Sequence, residues 1–167
     1  MRFMTLSLLS LALPSALALP TLPIAFNKRA AARTFAELTI SDGTAGNALA
    51  EATAKFPVPA DLASVSSADL KTLQAERVTA EDAETKAFNP AIAAATDNAT
   101  KTALQNGKIK NKVLKLFAEV QALQIQQAQG SNNQDKIDAE TKKLNTNVAL
   151  DKKAAGQTSQ TVTFTGN

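Results

Sequence analysis

From Ala103 to Gln129 the apolar residues recur at helical spacing over about seven turns, and a helix of that length dictates what must be built around it. Ile109, Val113, Leu116, Phe117, Val120 and Leu123 span about 120° of its circumference, a stripe that other elements have to cover. Gly130-Ser131-Asn132-Asn133 reads as a turn, with Gly130 placed to close the helix. A last helix is expected from Gln134 to Ala155, where Ile137, Leu144, Val148 and Ala155 fall within about 40° of one another. Gly156 ends it, and Thr161 to Thr165 alternates like a short strand or an ordered tail.

Upstream, Phe35, Leu38 and Ile40 mark a short packed or extended stretch. Ser41 or Asp42 is expected to cap a first helix with Ala45, Ala48, Leu49, Ala52 and Phe56 on one face, ended by Pro57 and Pro59. Ser66 with Asp69 three residues on is an acidic capping box that opens a second helix. Its stripe is Leu70, Leu73, Ala80 and Ala87, and Asn89-Pro90 is expected to stop or kink it near Phe88. Ala91 to Ala95 suits a short helix, and Thr96 to Thr100 a polar connection. The pattern is all-α: an antiparallel bundle of about four main helices with short extended N- and C-terminal segments.

The first 29 residues follow another logic. Arg2 precedes the apolar run Phe3 to Leu13, Pro14 breaks that run, and Ala16 and Ala18 supply the small-x-small pattern of a signal-peptidase site. Lys28-Arg29 then offers a dibasic processing site before Ala30. The expected division is a signal peptide at 1–18, a short propeptide at 19–29 and one helical domain at 30–167. Pro14, Pro20 and Pro23 interrupt the stretch that a transmembrane helix would need, so no transmembrane anchor is expected. Removing residues 1–29 takes away Arg2, Lys28 and Arg29, so 18 basic against 15 acidic residues become 15 against 15. No cationic excess is left for nucleic acid.

Composition removes several kinds of chemistry. With neither Cys nor His there is no disulfide framework, no thiolate or imidazole catalysis and no usual zinc ligand set. No Trp or Tyr is present to stack on sugars. Glu81, Asp82 and Glu84 do not form a calcium loop, because Glu81 and Asp82 diverge by about 100° on a helix and no bidentate Glu follows. No catalytic, cofactor-binding or metal residue is assigned, no cofactor is expected, and the chain is read as a non-enzyme.

Three features remain as candidates. Lys28 and Arg29 are the processing site. Asn98-Ala99-Thr100 is a candidate N-glycosylation acceptor, Asn98, in the polar connection. Lys101, Lys108, Lys112 and Lys115 share one side of the long helix if that helix reaches back to Lys101, with Lys110 elsewhere. That basic face is read as a solvated surface balanced by Glu76, Glu81, Asp82 and Glu84, against the sharper reading of an anionic partner. Asn106-Gly107 is expected to cap or fray the start of the long helix.

With these residues in view, the chain resembles the small secreted proteins of filamentous fungi. The likeness rests on the leader with Lys28-Arg29 and on Thr34-Phe35-Ala36-Glu37-Leu38-Thr39-Ile40-Ser41-Asp42-Gly43. It continues in Ala103-Leu104-Gln105-Asn106-Gly107-Lys108-Ile109-Lys110-Asn111-Lys112-Val113-Leu114-Lys115-Leu116 and in Asn147-Val148-Ala149-Leu150-Asp151. The resemblance implies secretion and no catalytic residues. The expected role is binding to an extracellular protein, a cell-wall component or a host component, as a host-directed effector or wall-associated protein. The alternative is a lipid carrier or a bundle that adsorbs to hydrophobic surfaces, an analogy of composition with fungal hydrophobic surface-binding proteins.

Overall fold

A computed structural model describes residues 31–166. The protein is an all-α bundle: α1 (Phe35–Leu38), α2 (Ala48–Lys55), α3 (Ser67–Ala83), α4 (Asn89–Ala94), α5 (Asn98–Ala128) and α6 (Gln134–Lys153). Two short strands, β1 (Gly43–Thr44) and β2 (Thr158–Ser159), pair antiparallel with Gly43 opposite Ser159. The segments expected to be signal peptide and propeptide, with Lys28-Arg29, lie outside the described residues.

Helix α5, about 46 Å long by helical rise, is the axis of the bundle and touches α2, α3, α4, α6 and β2. Cross-helix bonds fix the directions. Glu84 meets Lys115, Arg77 meets Glu119 and Gln129 Nε2 donates to Val65 O, so α3 runs against α5. Lys110 meets Glu51 and Gln121 Nε2 donates to Pro57 O, so α2 runs along it. The turn at Gly130 (φ 101°) brings α6 back antiparallel. The four long elements thus alternate in direction in chain order.

The α5 stripe holds Val113, Leu116, Val120 and Leu123 in the core, but it is wider than the periodicity implies. Leu114, Ala118, Ala122 and Ile125 are buried as well, whereas Ile109 and Phe117 are only half-buried. A helix packed on several sides has no single polar face, and Asn111, Gln121 and Lys110 are therefore buried too. Each supplies a bond to a neighbour: Asn111 Nδ2 donates to Ala80 O at 2.8 Å and Gln121 Nε2 to Pro57 O at 3.0 Å.

Several expectations are corrected. Pro90 does not end the second helix. After Ala83 the chain makes a π turn at Glu84–Phe88 and goes on as α4, with Asn89 N donating to Glu84 O. Proline lacks an N–H and its ring clashes with the carbonyl four residues back; one wider turn accommodates both. Neither Ser41 nor Asp42 caps α2. Its N-terminus receives the carboxylate of Asp151 from α6, with Gly46 N at 2.9 Å from Oδ1 and Ala48 N at 2.9 Å from Oδ2. A buried anion suits that positive helix end, and Asp151 is fully enclosed. Leu49 turns outward rather than into the α2 core face. On α6, Ala154 rather than Ala155 is buried.

Asn106-Gly107 neither caps nor frays α5, which begins eight residues earlier at Asn98. Both residues are buried against the C-terminal segment. Asn106 Nδ2 donates to Thr158 O at 2.9 Å, and Gln160 N donates to Ala103 O at 3.0 Å. A Cβ on Gly107 would lie 1.9 Å from Gln160 O, so only glycine admits the backbone here. Residues 161–165 form no strand. They are an ordered tail whose Phe164 meets Phe35 edge-on at 5.9 Å, beside Phe88 and Ala83.

Candidate functional site: a charge-paired cleft across three helices

At its N-terminal edge the fold is secured by Arg33. Its Nε and Nη2 donate to the Glu76 carboxylate at 2.8 and 2.9 Å, Nη2 also reaches Lys55 O at 3.1 Å, and the guanidinium lies 5.1 Å above the Phe56 ring. Glu76 is fully buried, which corrects its reading as a surface counter-charge to the lysines. A bidentate Arg–carboxylate pair is one of the few arrangements that offset the burial of a carboxylate.

Lys110 does lie apart from the other α5 lysines. It is 1% exposed, and its ammonium donates to Asp42 O at 2.9 Å and Thr44 O at 3.1 Å and pairs with Glu51 at 2.9 Å. These bonds tie the β1 turn and α2 to the middle of α5.

The four lysines of the predicted basic face do share one side of α5, but that side is a seam rather than an open surface. Lys101 is exposed. Lys108 Nζ donates to Asn89 Oδ1 at 2.6 Å, Lys115 pairs with Glu84 at 3.0 Å and Lys112 approaches the same carboxylate at 3.7 Å. Glu84, which they meet, is the first residue of the π turn. Glu81 pairs with Arg77, and Asp82 pairs with Lys86 at 2.8 Å on their own rod. Among the described residues, no three of His, Cys, Asp and Glu are grouped so as to hold a metal ion.

Beyond Lys115 the seam opens into a cleft of about 330 Å³ between α3, α5 and α6, lined by Arg77, Glu81, Lys112, Lys115, Leu116, Glu119, Glu140, Lys143 and Asn147. Arg77 bridges Glu81 on its own helix and Glu119 on α5 at 2.8 Å, and Lys143 pairs with Glu140 at 2.7 Å. The hydrogen bond and charge of Glu140 hold the Lys143 ammonium above the usual lysine range. With Glu84 at the rim, four cations face four carboxylates drawn from three helices, and the cleft carries no net charge. Such partly exposed pairs add little to stability. What they fix is a pattern of donors and acceptors over Leu116 and Asn147.

Sequence reasoning singled out Lys112, Lys115, Glu81 and Glu84 here and missed Arg77, Glu119, Glu140 and Lys143. The spacings Arg77/Glu81 and Glu140/Lys143 carry a local signal, since residues four and three apart are neighbours on a helix. Nothing local joins Arg77 to Glu119.

Asn98 sits in the first turn of α5, not in a connection. Asp97 is the N-cap, its carboxylate accepting Thr100 N at 2.8 Å, and the bonds from Thr100 hold its carboxyl below the usual range. Asn98 and the residues on either side of it are exposed. Among the described residues, no helix is long and apolar enough to cross a membrane.

No curated protein and no solved structure matches this chain. Residues 30–163 match a family described as a domain of unknown function, DUF8454, and the chain belongs to that family.

Proposed function

We propose that this protein is a secreted, non-enzymatic helical domain that acts by binding a partner outside the cell, and that the charge-paired cleft is the surface it uses. The observation that carries the reading is the set of Arg77, Lys112, Lys115 and Lys143 held among Glu81, Glu84, Glu119 and Glu140 on three packed helices. Charges fixed on rigid elements favour one partner orientation and penalise mismatched ones, which makes them a source of specificity more than of affinity. Because the set is neutral, it suits a protein surface of alternating charge better than a uniformly anionic polymer or membrane. The partner is an extracellular protein or a component of a cell wall or host.

Secretion with removal of residues 1–29 is supported by where the family match starts. The family match begins at residue 30, the position after Lys28-Arg29. The second reading, a carrier or surface-adsorbing bundle, draws on an apolar cleft of about 520 Å³ between α2 and α6, lined in part by Leu49, Ala50 and Val148, with Leu150 exposed on α6.

A charge swap separates the two readings. Glu140→Lys with Lys143→Glu keeps the pair, the composition and the net charge while inverting the pattern on one wall of the cleft. Capture of extracellular partners by the wild type that is lost in the swapped protein is the expected result. Capture unaffected by the swap but lost in Leu49→Ser would move the function to the apolar cleft.

A further inference from the structure

We propose that Asn98 carries an N-linked glycan, placed at the end of the bundle away from the binding cleft; the proposal rests on the secretory reading above. Asn98-Ala99-Thr100 is the one Asn-x-Ser/Thr triplet without a central proline in the chain. The fold places it where a large substituent meets nothing. Thr96, Asp97, Asn98 and Ala99 are all exposed, Ala95 and Thr100 are half-buried, and the nearest fully enclosed residue of α5 is Ala103. The helix start is also independent of the acceptor amide. The first turn is held by the Asp97 carboxylate, which accepts the backbone N–H of Thr100 and a bond from the Thr100 side chain, so the Asn98 amide is not needed to start the helix.

The modification needs only a lipid-linked oligosaccharide as co-reactant. The Asn98 side-chain nitrogen attacks the anomeric carbon, a C–N bond forms, the bond from that carbon to the lipid pyrophosphate breaks, and the amide loses one proton. Nothing is oxidised or reduced. In the folded protein the glycan extends from the α4–α5 end. The nearest cleft residue of α5, Lys112, lies 14 residues further along the helix, roughly 21 Å away by helical rise. The sugar therefore covers polar surface without masking the face assigned to partner binding.

The test is expression of the full chain in a eukaryotic secretory host, followed by glycosidase treatment and intact-mass measurement of the protein in the medium. The proposal expects a mass decrease on treatment, an aspartate left at position 98, and loss of the shift in Asn98→Gln and Thr100→Ala. Thr100→Ser should restore it, because serine keeps the acceptor triplet. Asn98→Gln and Thr100→Ser should melt as the unglycosylated wild type does, since both keep a hydroxyl at position 100 to bond Asp97. Wild-type protein that reaches the medium without a glycan would overturn the glycan and leave secretion standing. Protein kept inside the cell without one would overturn both.

Discussion

Lys110→Met should cost about 2–4 kcal/mol of stability, although it replaces a charged residue in a core by an apolar one of similar length. The ammonium is sealed from solvent and holds Asp42 O at 2.9 Å, Thr44 O at 3.1 Å and Glu51 at 2.9 Å. Hydrogen bonds from a charged donor contribute about 1.5–3 kcal/mol each, and two backbone carbonyls lose one. The Glu51 pair adds at most about 1 kcal/mol, because that carboxylate is 36% exposed and returns to water. Methionine keeps the packing of the stem and removes the cost of holding an ammonium out of water, which offsets part of the loss. For a domain of this size each kcal/mol moves the midpoint by roughly 3–5 °C, so the thermal midpoint should fall by about 6–20 °C. Urea unfolding followed by far-UV circular dichroism measures the difference directly, with Glu51→Gln as a control that should cost less than about 1 kcal/mol. A Lys110→Met protein within about 0.5 kcal/mol of wild type would refute the claim that this lysine ties α2 and the β1 turn to α5.

Four further outcomes follow from the same packing. Val120→Asp places an unpaired charge in the core and should unfold or severely destabilise the bundle, whereas Lys112→Ala, whose partner is 3.7 Å away, should change stability by less than about 0.5 kcal/mol; equal effects in thermal melts would contradict the orientation of α5. Gly107→Ala should be destabilising although alanine favours helix by about 1 kcal/mol, because its Cβ meets Gln160 O at 1.9 Å; faster hydrogen exchange at the Gln160 amide is the readout, and unchanged protection would contradict it. Glu37 and Asp97 have carboxyl pKa values lowered by bonds from Thr34 and Thr100, so their contribution is complete above the ordinary carboxylate pKa and is lost as pH falls through the lowered values; that of Lys143, raised by Glu140, is lost only as pH rises through its raised value. Melting midpoints should therefore decline on the acid side below about pH 4 and on the far alkaline side, and a midpoint that rises on acidification would contradict those assignments. Anionic vesicles should bind no better than neutral ones at about 0.15 M salt, where a working basic face would gain about 1 kcal/mol per lysine, because Lys112 and Lys115 are turned to Glu84 and Lys108 to Asn89; salt-sensitive binding to anionic vesicles would contradict this.

The helices were legible wherever a local signal exists. The Ser66 cap with Asp69, the closing glycines Gly130 and Gly156, and the period of α5 and α6 all act within a few residues, and the structure has α3, α5 and α6 close to where those signals put them. The unread features are those whose partners are distant in sequence. Asp151 caps a helix 103 residues away and Lys110 reaches back 68 residues to Asp42 O. Gly107 looks like a helix breaker until a tail more than 50 residues later lies across it. Pro90 misled for a different reason. The rule that proline ends a helix assumes α geometry in the turn before it, and the π turn at Glu84–Phe88 lifts that restriction. Glu84, the first residue of that turn, pairs with Lys112 and Lys115, as the reading of a balanced basic face expects.

The central claim, that this is a secreted domain released at Ala30, is tested most directly by N-terminal sequencing of the full-length gene product made in a eukaryotic secretory host. The predicted result is protein in the medium that begins at Ala30, with 15 basic and 15 acidic residues. Protein retained in the cell and beginning at Met1 would contradict secretion. A secreted chain that begins at Leu19 and keeps Lys28-Arg29 would contradict the second cleavage.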